Sequence, residues 1–229
     1  MPRLARTVVA HLPHHITQRG NRREDVFFDD EDRQFYLELL GEYAAKFGVE
    51  VAAYCLMSNH VHLVLIPSTE EGLQQVLKPL HMRYAQRLNR VRQQQGHVWQ
   101  GRYFSSVLDG DYFKSCLRYV ERNPVRTRKV RKAEKYEWSS ARGHCDLVRD
   151  KLLKAKPRWR ADLDDIADWS RFLAEPDGDE ALLILRRNTM MNLPCGGEKF
   201  IKKIEKVAGR NLHYKPQGRP KKPVKKTAR

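Results

Sequence analysis

The stretch "SNHVHLVL", residues 58–65, sets two histidines one residue apart in an otherwise aliphatic run. Because the side chains of a strand alternate between its two faces, the aliphatic residues at positions 61, 63 and 65 share one face and are predicted to line a core. His60 and His62 then lie side by side on the opposite face. The stretch therefore predicts a strand that is anchored through its apolar face and holds two imidazoles together on the other.

Helix signals flank this strand on both sides. A helix over "DDEDRQFYLELLGEYAAKFG" is predicted to begin at a cap formed by Asp29 or Asp30 and to stop at Gly48. A long basic helix is predicted over residues 70–94, and a further helix is predicted from about Asp111 onward. That last helix must end near the residue before Pro124, because a residue before proline is biased out of the helical region.

The order of these elements predicts the fold class. The segment "VEVAAYCLM" directly precedes the histidine strand and is predicted to pair with it as a β-hairpin. The resulting β-α-β-β-α order predicts an α+β, ferredoxin-like sandwich, with a central antiparallel sheet and its helices gathered on one face.

Composition divides the chain into three parts. Residues 1–150 form the predicted main domain, and residues 151–213 are predicted to be a helical C-terminal extension. Residues 214–229 contain seven basic and no acidic residues together with three prolines, so a disordered basic tail is predicted there. Within the tail, "GRPKK" is similar to the core of an AT-hook, which inserts into a narrow minor groove.

The charge balance indicates the class of partner. The chain has 44 Lys and Arg against 28 Asp and Glu, a net charge of +16, which favours a polyanion and most often nucleic acid. No apolar run approaches the roughly 20 residues of a membrane span, and no signal peptide is expected, because the basic residues after Met1 lead into no apolar stretch. Four dispersed cysteines without a C-x-x-C pair argue against structural zinc and predict reduced thiols in a cytoplasmic protein.

Two imidazoles at this spacing can bind one cation, and the segment "DYFKSCLRYVERNPV" offers a third ligand. In a helix, Tyr119 and Asn123 lie one turn apart on the flank of its apolar stripe. An amide oxygen from Asn123 would complete a His-His-Asn site suited to Mg²⁺ or Mn²⁺, with Tyr119 one turn away as a nucleophile. Spacing alone leaves open a polar strand face, a packed boundary tyrosine and an asparagine at a helix end. Tyr112, on the same flank, is the rival nucleophile.

Several motifs in order resemble the REP-associated tyrosine transposases, which belong to the HUH superfamily of single-strand transposases. The "SNHVHLV" strand and "YVERNPVR" some sixty residues later carry the resemblance, supported by "HHITQRGNRREDVFF" and "HVWQGRYFSSVL". It covers about residues 5–145 and extends more loosely to "NLPCGGEKFIKKIEKVAGRNL" and "GRPKK". His-x-His alone would be a weak signal, whereas the ordered set is specific.

The resemblance implies an activity and a set of site residues. By position, His60, His62 and Asn123 would be metal ligands, and Tyr119 would attack a DNA phosphate to form a 5′-phosphotyrosine linkage. The implied substrate is single-stranded or hairpin DNA, and the implied reaction cleaves and rejoins DNA at hairpin-forming repeats. The sequence leaves open the general base, the target sequence and whether the chain acts as a monomer or a homodimer.

The predicted DNA contacts come from four segments. The resemblance implies that the "GNRR" loop contacts DNA, and the aromatic stretch could stack on exposed bases. The arginines near Tyr119 and the basic tail are predicted to bind phosphates because of their charge. The predicted DNA-binding residues are Gly20, Asn21, Arg22, Arg23, Arg102, Tyr103, Arg118, Arg122, Arg126, Arg219, Lys221 and Lys222.

Two other functions fit the same residues. A domesticated regulator would bind nucleic acid with this fold and lack catalysis, and a nuclease would use water while Tyr119 served only as a packing residue. The presence of the tyrosine, both histidines and the asparagine disfavours the regulator.

Overall fold

The computed structural model describes residues 6–154, 157, 159, 163, 165–176 and 178–215. The predicted DNA contacts at Arg219, Lys221 and Lys222 lie outside these residues. Within the described part of the chain the strands are β1 (His14–Arg19), β2 (Val49–Met57), β3 (His60–Pro67) and β4 (Phe104–Val107). The helices are α1 (Asp30–Lys46), α2 (Gly72–Val91), α3 (Gly110–Glu121), α4 (Asn123–Arg126), α5 (Ala141–His144), α6 (Trp169–Ala174), α7 (Asp179–Met191) and α8 (Glu198–Ala208).

Side-chain caps begin the two helices that follow acidic residues. Asp29 accepts a hydrogen bond from the backbone N–H of Asp32 at 2.9 Å, so Asp29 is the N-cap of α1. Asp109 does the same for α3, accepting from Tyr112 N at 3.0 Å. Gly48 follows α1 with φ of +61°, a left-handed conformation that glycine adopts without a steric penalty.

The four strands form one antiparallel sheet in the order β2-β3-β1-β4. Met57 of β2 lies opposite His60 of β3, which confirms the predicted hairpin. With α1 between β1 and β2, and α2 between β3 and β4, this order is that of a ferredoxin-like sandwich. The predicted fold class is confirmed.

Helices cover both faces of the sheet. Val61, Leu63 and Leu65 of β3 pack with α1 and α2 in a first core, as strand alternation predicts. Val64, from the histidine face, packs instead with α3, α6 and α7 in a second core. The expectation that the helices gather on one face is therefore wrong, because the alternate residues of β2 and β3 are apolar too and need their own cover.

The C-terminal helices are packed onto the sheet. Trp169 and Phe172 of α6 and Leu185 of α7 belong to the second core, together with residues of β2, β3 and α3. Ile204 of α8 packs against Val107 of β4 in a smaller third cluster. The helical nature of the extension agrees with the expectation, while the domain boundary at residue 150 remains a prediction.

Within the described residues, no helix combines the length and the apolar character needed to cross a membrane. All four cysteines are free thiols, and Cys145 alone among them is partly exposed.

A buried carboxylate fixes the end of α3. The Glu121 side chain is fully buried and accepts hydrogen bonds from Ser140 Oγ at 2.5 Å, His144 Nδ1 at 2.6 Å and Trp169 Nε1 at 2.7 Å. Three donors, two from α5 and its N-cap and one from α6, compensate the cost of burying this group. Glu121 thereby joins α3 to α5 and α6 two residues after Tyr119.

We expect Glu121→Gln to lower the free energy of unfolding by about 2 kcal/mol, because an amide nitrogen placed among three donors leaves a buried donor unsatisfied. Urea unfolding followed by circular dichroism measures the change. Glu137→Gln is the control: the same substitution at an exposed position should leave stability nearly unchanged. Equal effects at the two positions would contradict this account of Glu121.

Candidate active site

The two histidines of β3 lie together on the face that α3 covers. Their ring centroids are 5.0 Å apart and their planes are nearly perpendicular, at 85°. His62 is buried and His60 is partly exposed. The strand alternation that predicts this pair is therefore observed.

A hydrogen bond fixes the proton position on His60. Its Nδ1 lies 2.6 Å from Oδ1 of Asn59, whose amide nitrogen donates to the Arg23 carbonyl oxygen at 3.0 Å. Because a carbonyl oxygen only accepts, His60 Nδ1 must carry the proton. The Nε2 atom of His60 is then unprotonated, and its lone pair can bind a metal ion.

His62 is held by a second histidine. His62 Nδ1 lies 3.0 Å from Nε2 of His15 on β1, and His15 Nδ1 lies 2.8 Å from Oγ1 of Thr189 on α7. The two rings are stacked, with centroids 5.2 Å apart and planes at 10°. This leaves Nε2 as the nitrogen of His62 that can bind a ligand.

The surroundings keep these imidazoles neutral. Burial, with the nearby Arg19, Arg126 and Lys129 cations, lowers the pKa of His60 to about 4. Burial and then the neighbouring His60 lower the pKa of His62 well below its ordinary value. Burial, followed by Arg126, lowers the pKa of His15 to about 3. Neutral imidazole is the form that binds a metal ion.

Tyr119 packs directly against the histidines. Its ring centroid is 5.3 Å from that of His62 and 5.6 Å from that of His15, both in edge-on geometry. The side chain is only 5% exposed, so it lies deeper than the helix flank suggests. Tyr112 packs at the edge of the second core, and none of the described ring contacts joins it to the histidines. The geometry favours Tyr119 over its rival.

Two arginines flank the Tyr119 ring. The guanidinium carbon of Arg126 lies 4.2 Å from the ring centroid, and that of Arg186 on α7 lies 5.5 Å from it. The Nε and Nη1 atoms of Arg126 are buried, and they have no hydrogen-bond partner among the described residues. Buried N–H groups without partners are costly, and a phosphate oxygen would satisfy them.

Asn123 begins α4, one turn beyond Tyr119, and is 3% exposed. Within the described residues no hydrogen bond engages its side-chain amide, whereas its backbone oxygen accepts from Thr127. No group of three His, Cys, Asp or Glu side chains that could hold a metal occurs among the described residues. Neutral imidazole nitrogens and an amide oxygen are nevertheless ligand types that suit a divalent ion with open positions, and Asn123 as the third ligand remains a prediction.

The "GNRR" loop is connected to this site through Asn59. Arg22 and Arg23 are exposed and adopt left-handed φ values of 52° and 65°. Gly20 permits the tight turn before them, because a Cβ there would lie 2.2 Å from the Glu24 carbonyl oxygen. Asn21, which lies between Gly20 and Arg22, is partly exposed. The loop thus exposes two cations, and its backbone is joined to His60 through Asn59, while Gly20 has a role in the backbone turn.

Three of the other predicted DNA-binding residues contact the protein itself, and a fourth is exposed. Arg118 Nη1 lies 3.0 Å from Glu175 Oε2, and Arg122 donates to the carbonyl oxygens of Leu173 and Glu175. Tyr103 is buried in the first core beneath the Arg6 guanidinium, whereas its neighbour Arg102 is exposed. The DNA contacts assigned to these four residues remain predictions.

Sequence reasoning missed three residues of the site. It assigned no role to His15, Thr189 or Arg186. The sequence offers one signal for His15: strand alternation in β1 places it on the face opposite the apolar Ile16. Thr189 and Arg186 lie on a helix that joins the site only through tertiary packing, so no local pattern could have revealed them.

Comparisons with known proteins agree with the geometry. The family model for IS200-like transposases matches residues 8–123, just over half of the chain. Among solved structures, a REP-associated tyrosine transposase bound to a REP hairpin matches with a TM-score of 0.51 and 15% identity, covering 69% of this chain and 93% of that one. A candidate transposase from Deinococcus radiodurans has 21% identity and a TM-score of 0.38, covering 52% of this chain and 96% of its own. No curated protein sequence matches.

These findings confirm the resemblance that the motifs indicate. The matched family region begins before β1 and ends at Asn123, so it contains the histidine pair and Tyr119. The likeness to the REP-associated enzyme supports the same fold. The chain belongs to the IS200-like transposase family.

Proposed function

We propose that this protein cleaves and rejoins single-stranded DNA at hairpin-forming repeats, through a 5′-phosphotyrosine intermediate on Tyr119. The observation that carries the proposal is the contact of the Tyr119 ring with His62, at a centroid distance of 5.3 Å. A phenol beside two neutral imidazoles has the parts needed for metal-assisted attack on a phosphate.

Tyr119 would supply the attacking oxygen. A bond forms between its phenolic oxygen and the phosphorus while the bond from phosphorus to the 3′-oxygen breaks. The phenol loses its proton and the departing 3′-oxygen gains one, so the step needs no oxidant and no cosubstrate. Attack by a 3′-hydroxyl on the tyrosyl phosphate reverses the step and joins DNA ends.

His60, His62 and Asn123 would hold the divalent ion, Mg²⁺ or Mn²⁺. When bound, the ion would supply Lewis-acid stabilisation of the scissile phosphate. Arg126, whose buried Nε and Nη1 lack protein partners in the described residues, would bind the same phosphate and orient it toward Tyr119.

Hairpin DNA is the proposed substrate class, and three features support it. The solved relative described above is bound to a REP hairpin. The net charge of +16 suits a polyanion, and the exposed Arg22 and Arg23 belong to the loop that Asn59 joins to His60. The protein would meet this substrate in the cytoplasm, on the nucleoid.

A denaturing gel tests the proposal. The purified full-length chain is incubated with labelled single-stranded hairpin DNA and Mn²⁺, and we expect a covalent protein–DNA adduct that EDTA prevents. Cleavage without an adduct would indicate a nuclease that uses water. Hairpin binding with neither cleavage nor an adduct would indicate a regulator that retains the fold. Either of these outcomes overturns the proposal.

We expect Arg126→Ala to slow adduct formation on bound DNA by about 100-fold, because a positioned donor to the reacting phosphate is lost. Single-turnover assays with saturating protein measure this rate separately from affinity. Arg131→Ala is the control, since Arg131 is an exposed arginine a few residues along the same segment. A rate unchanged by Arg126→Ala, or lowered equally by Arg131→Ala, would reject the role of Arg126.

A further inference from the structure

A chain of hydrogen bonds leads from the histidine pair into the C-terminal extension. It begins at His62 Nδ1, passes through His15 on β1, and ends at Thr189 on α7, with links of 3.0 Å and 2.8 Å. His15 is 1% exposed and Thr189 is likewise 1% exposed, so water does not compete for these bonds. The proposed chemistry has no step for either residue.

The proton positions along these hydrogen bonds determine whether His62 can bind a metal ion. A neutral imidazole carries one proton, so His62 can bind a cation through Nε2 only if its proton is on Nδ1. His62 Nδ1 then donates to His15 Nε2. His15 must in turn carry its proton on Nδ1, from which it donates to Thr189 Oγ1. In the opposite arrangement His15 donates to His62, and His62 Nε2 is protonated and closed to a metal.

His60 and His62 differ in how their protons are fixed. The Asn59 oxygen can only accept, so the proton on His60 is settled within the hairpin itself. His15 can accept or donate, so the state of His62 depends on what His15 does, and Thr189 is the group that holds His15. The metal site is therefore connected to α7, which also carries Arg186 to the Tyr119 ring.

We propose that His15 is a positioning residue of the metal site: it accepts a hydrogen bond from His62 Nδ1, keeps His62 Nε2 open to the cation, and is itself oriented by Thr189. Ligand histidines commonly donate their second ring nitrogen to a neighbouring acceptor, and loss of that acceptor weakens metal binding. The inference rests on the proposed metal site. It adds that the C-terminal extension, through α7, is part of that site.

Titration of the full-length protein with Mn²⁺ alone, followed by the electron paramagnetic resonance signal of the free ion, tests this inference. We expect His15→Leu to weaken Mn²⁺ binding by about 10- to 100-fold. His15→Gln should recover most of the affinity, because its side-chain oxygen can accept the same hydrogen bond. Thr189→Val, which keeps the side-chain shape, should weaken binding by a smaller factor.

His14→Gln is the matched control. His14 is equally buried on the same strand, but within the described part of the chain its ring nitrogens hydrogen-bond only to the backbone of Leu12 and Val9. It should leave Mn²⁺ affinity unchanged. Wild-type affinity in His15→Leu, an equal loss in His14→Gln, or no recovery in His15→Gln overturns the inference. If His15→Leu does not fold, unchanged affinity in Thr189→Val overturns it.

A readout without metal or DNA separates this inference from the proposed function. In ¹⁵N spectra of the metal-free protein, we expect His62 to carry its proton on Nδ1, and the His15→Leu variant to move that proton toward Nε2. His60 should keep its proton on Nδ1 in both proteins. An unchanged His62 proton position overturns the inference alone, whereas a wild-type protein that binds no Mn²⁺ overturns the proposed metal site.

Discussion

Replacing Tyr119 with phenylalanine is expected to abolish the covalent protein–DNA adduct, with a loss of roughly 10⁴-fold or more in cleavage rate, because no nucleophilic oxygen remains. The ring itself stays, and with it the edge-on contacts to His15 and His62 and the stacking of Arg126. Folding and hairpin affinity should therefore be preserved. Adduct formation is measured on denaturing gels, and affinity by a mobility-shift assay.

Tyr112→Phe provides the matched comparison, since it makes the same change on the same helix. Tyr112 has no described contact with the histidine pair, so this variant should form adduct at the wild-type rate. An adduct formed by the Tyr119 variant would remove the nucleophile from the proposed mechanism. Loss of the adduct in the Tyr112 variant alone would move that role to Tyr112.

Strand periodicity was sufficient to predict the histidine pair. The alternation of "HVHLVL" places both imidazoles on one face, whatever else the chain does, because the period of a strand is two. The hairpin of β2 and β3 is equally local, since Ser58 and Asn59 are its only connecting residues. The helix caps are local too. These parts of the fold depend on neighbours in sequence.

Contacts between residues far apart in sequence determine the other features of the site. The helical period places Arg118 of α3 and Arg122, its C-cap, on one flank. Residues 173–175, some fifty positions later, cover that flank and bind both side chains. His15 becomes part of the site only because β1 pairs with β3, which sets Thr17 opposite His62 and lets His15 reach diagonally across. Such contacts depend on which surfaces pack together, and no short motif encodes them.

Replacing His60 with alanine is expected to remove Mn²⁺-dependent cleavage at low metal concentration, with a rate loss of roughly 100- to 1000-fold. One of two imidazole ligands is lost, and the remaining pair of donors binds the ion weakly. His60 is partly exposed, so its removal should disturb packing less than removal of His62. Hairpin affinity measured without metal should stay at the wild-type value.

The metal dependence of this variant distinguishes a lost ligand from a damaged fold. If His60 is a ligand, raising the Mn²⁺ concentration should partly restore adduct formation, because weak binding can be overcome by mass action. His97→Ala, which removes an exposed histidine, should retain the wild-type dependence on Mn²⁺. Asn59 keeps the Nε2 atom of His60 unprotonated, and metal binding is the one role that the proposed reaction gives this atom. Full activity of the His60 variant in EDTA would therefore show that cleavage does not need the metal site.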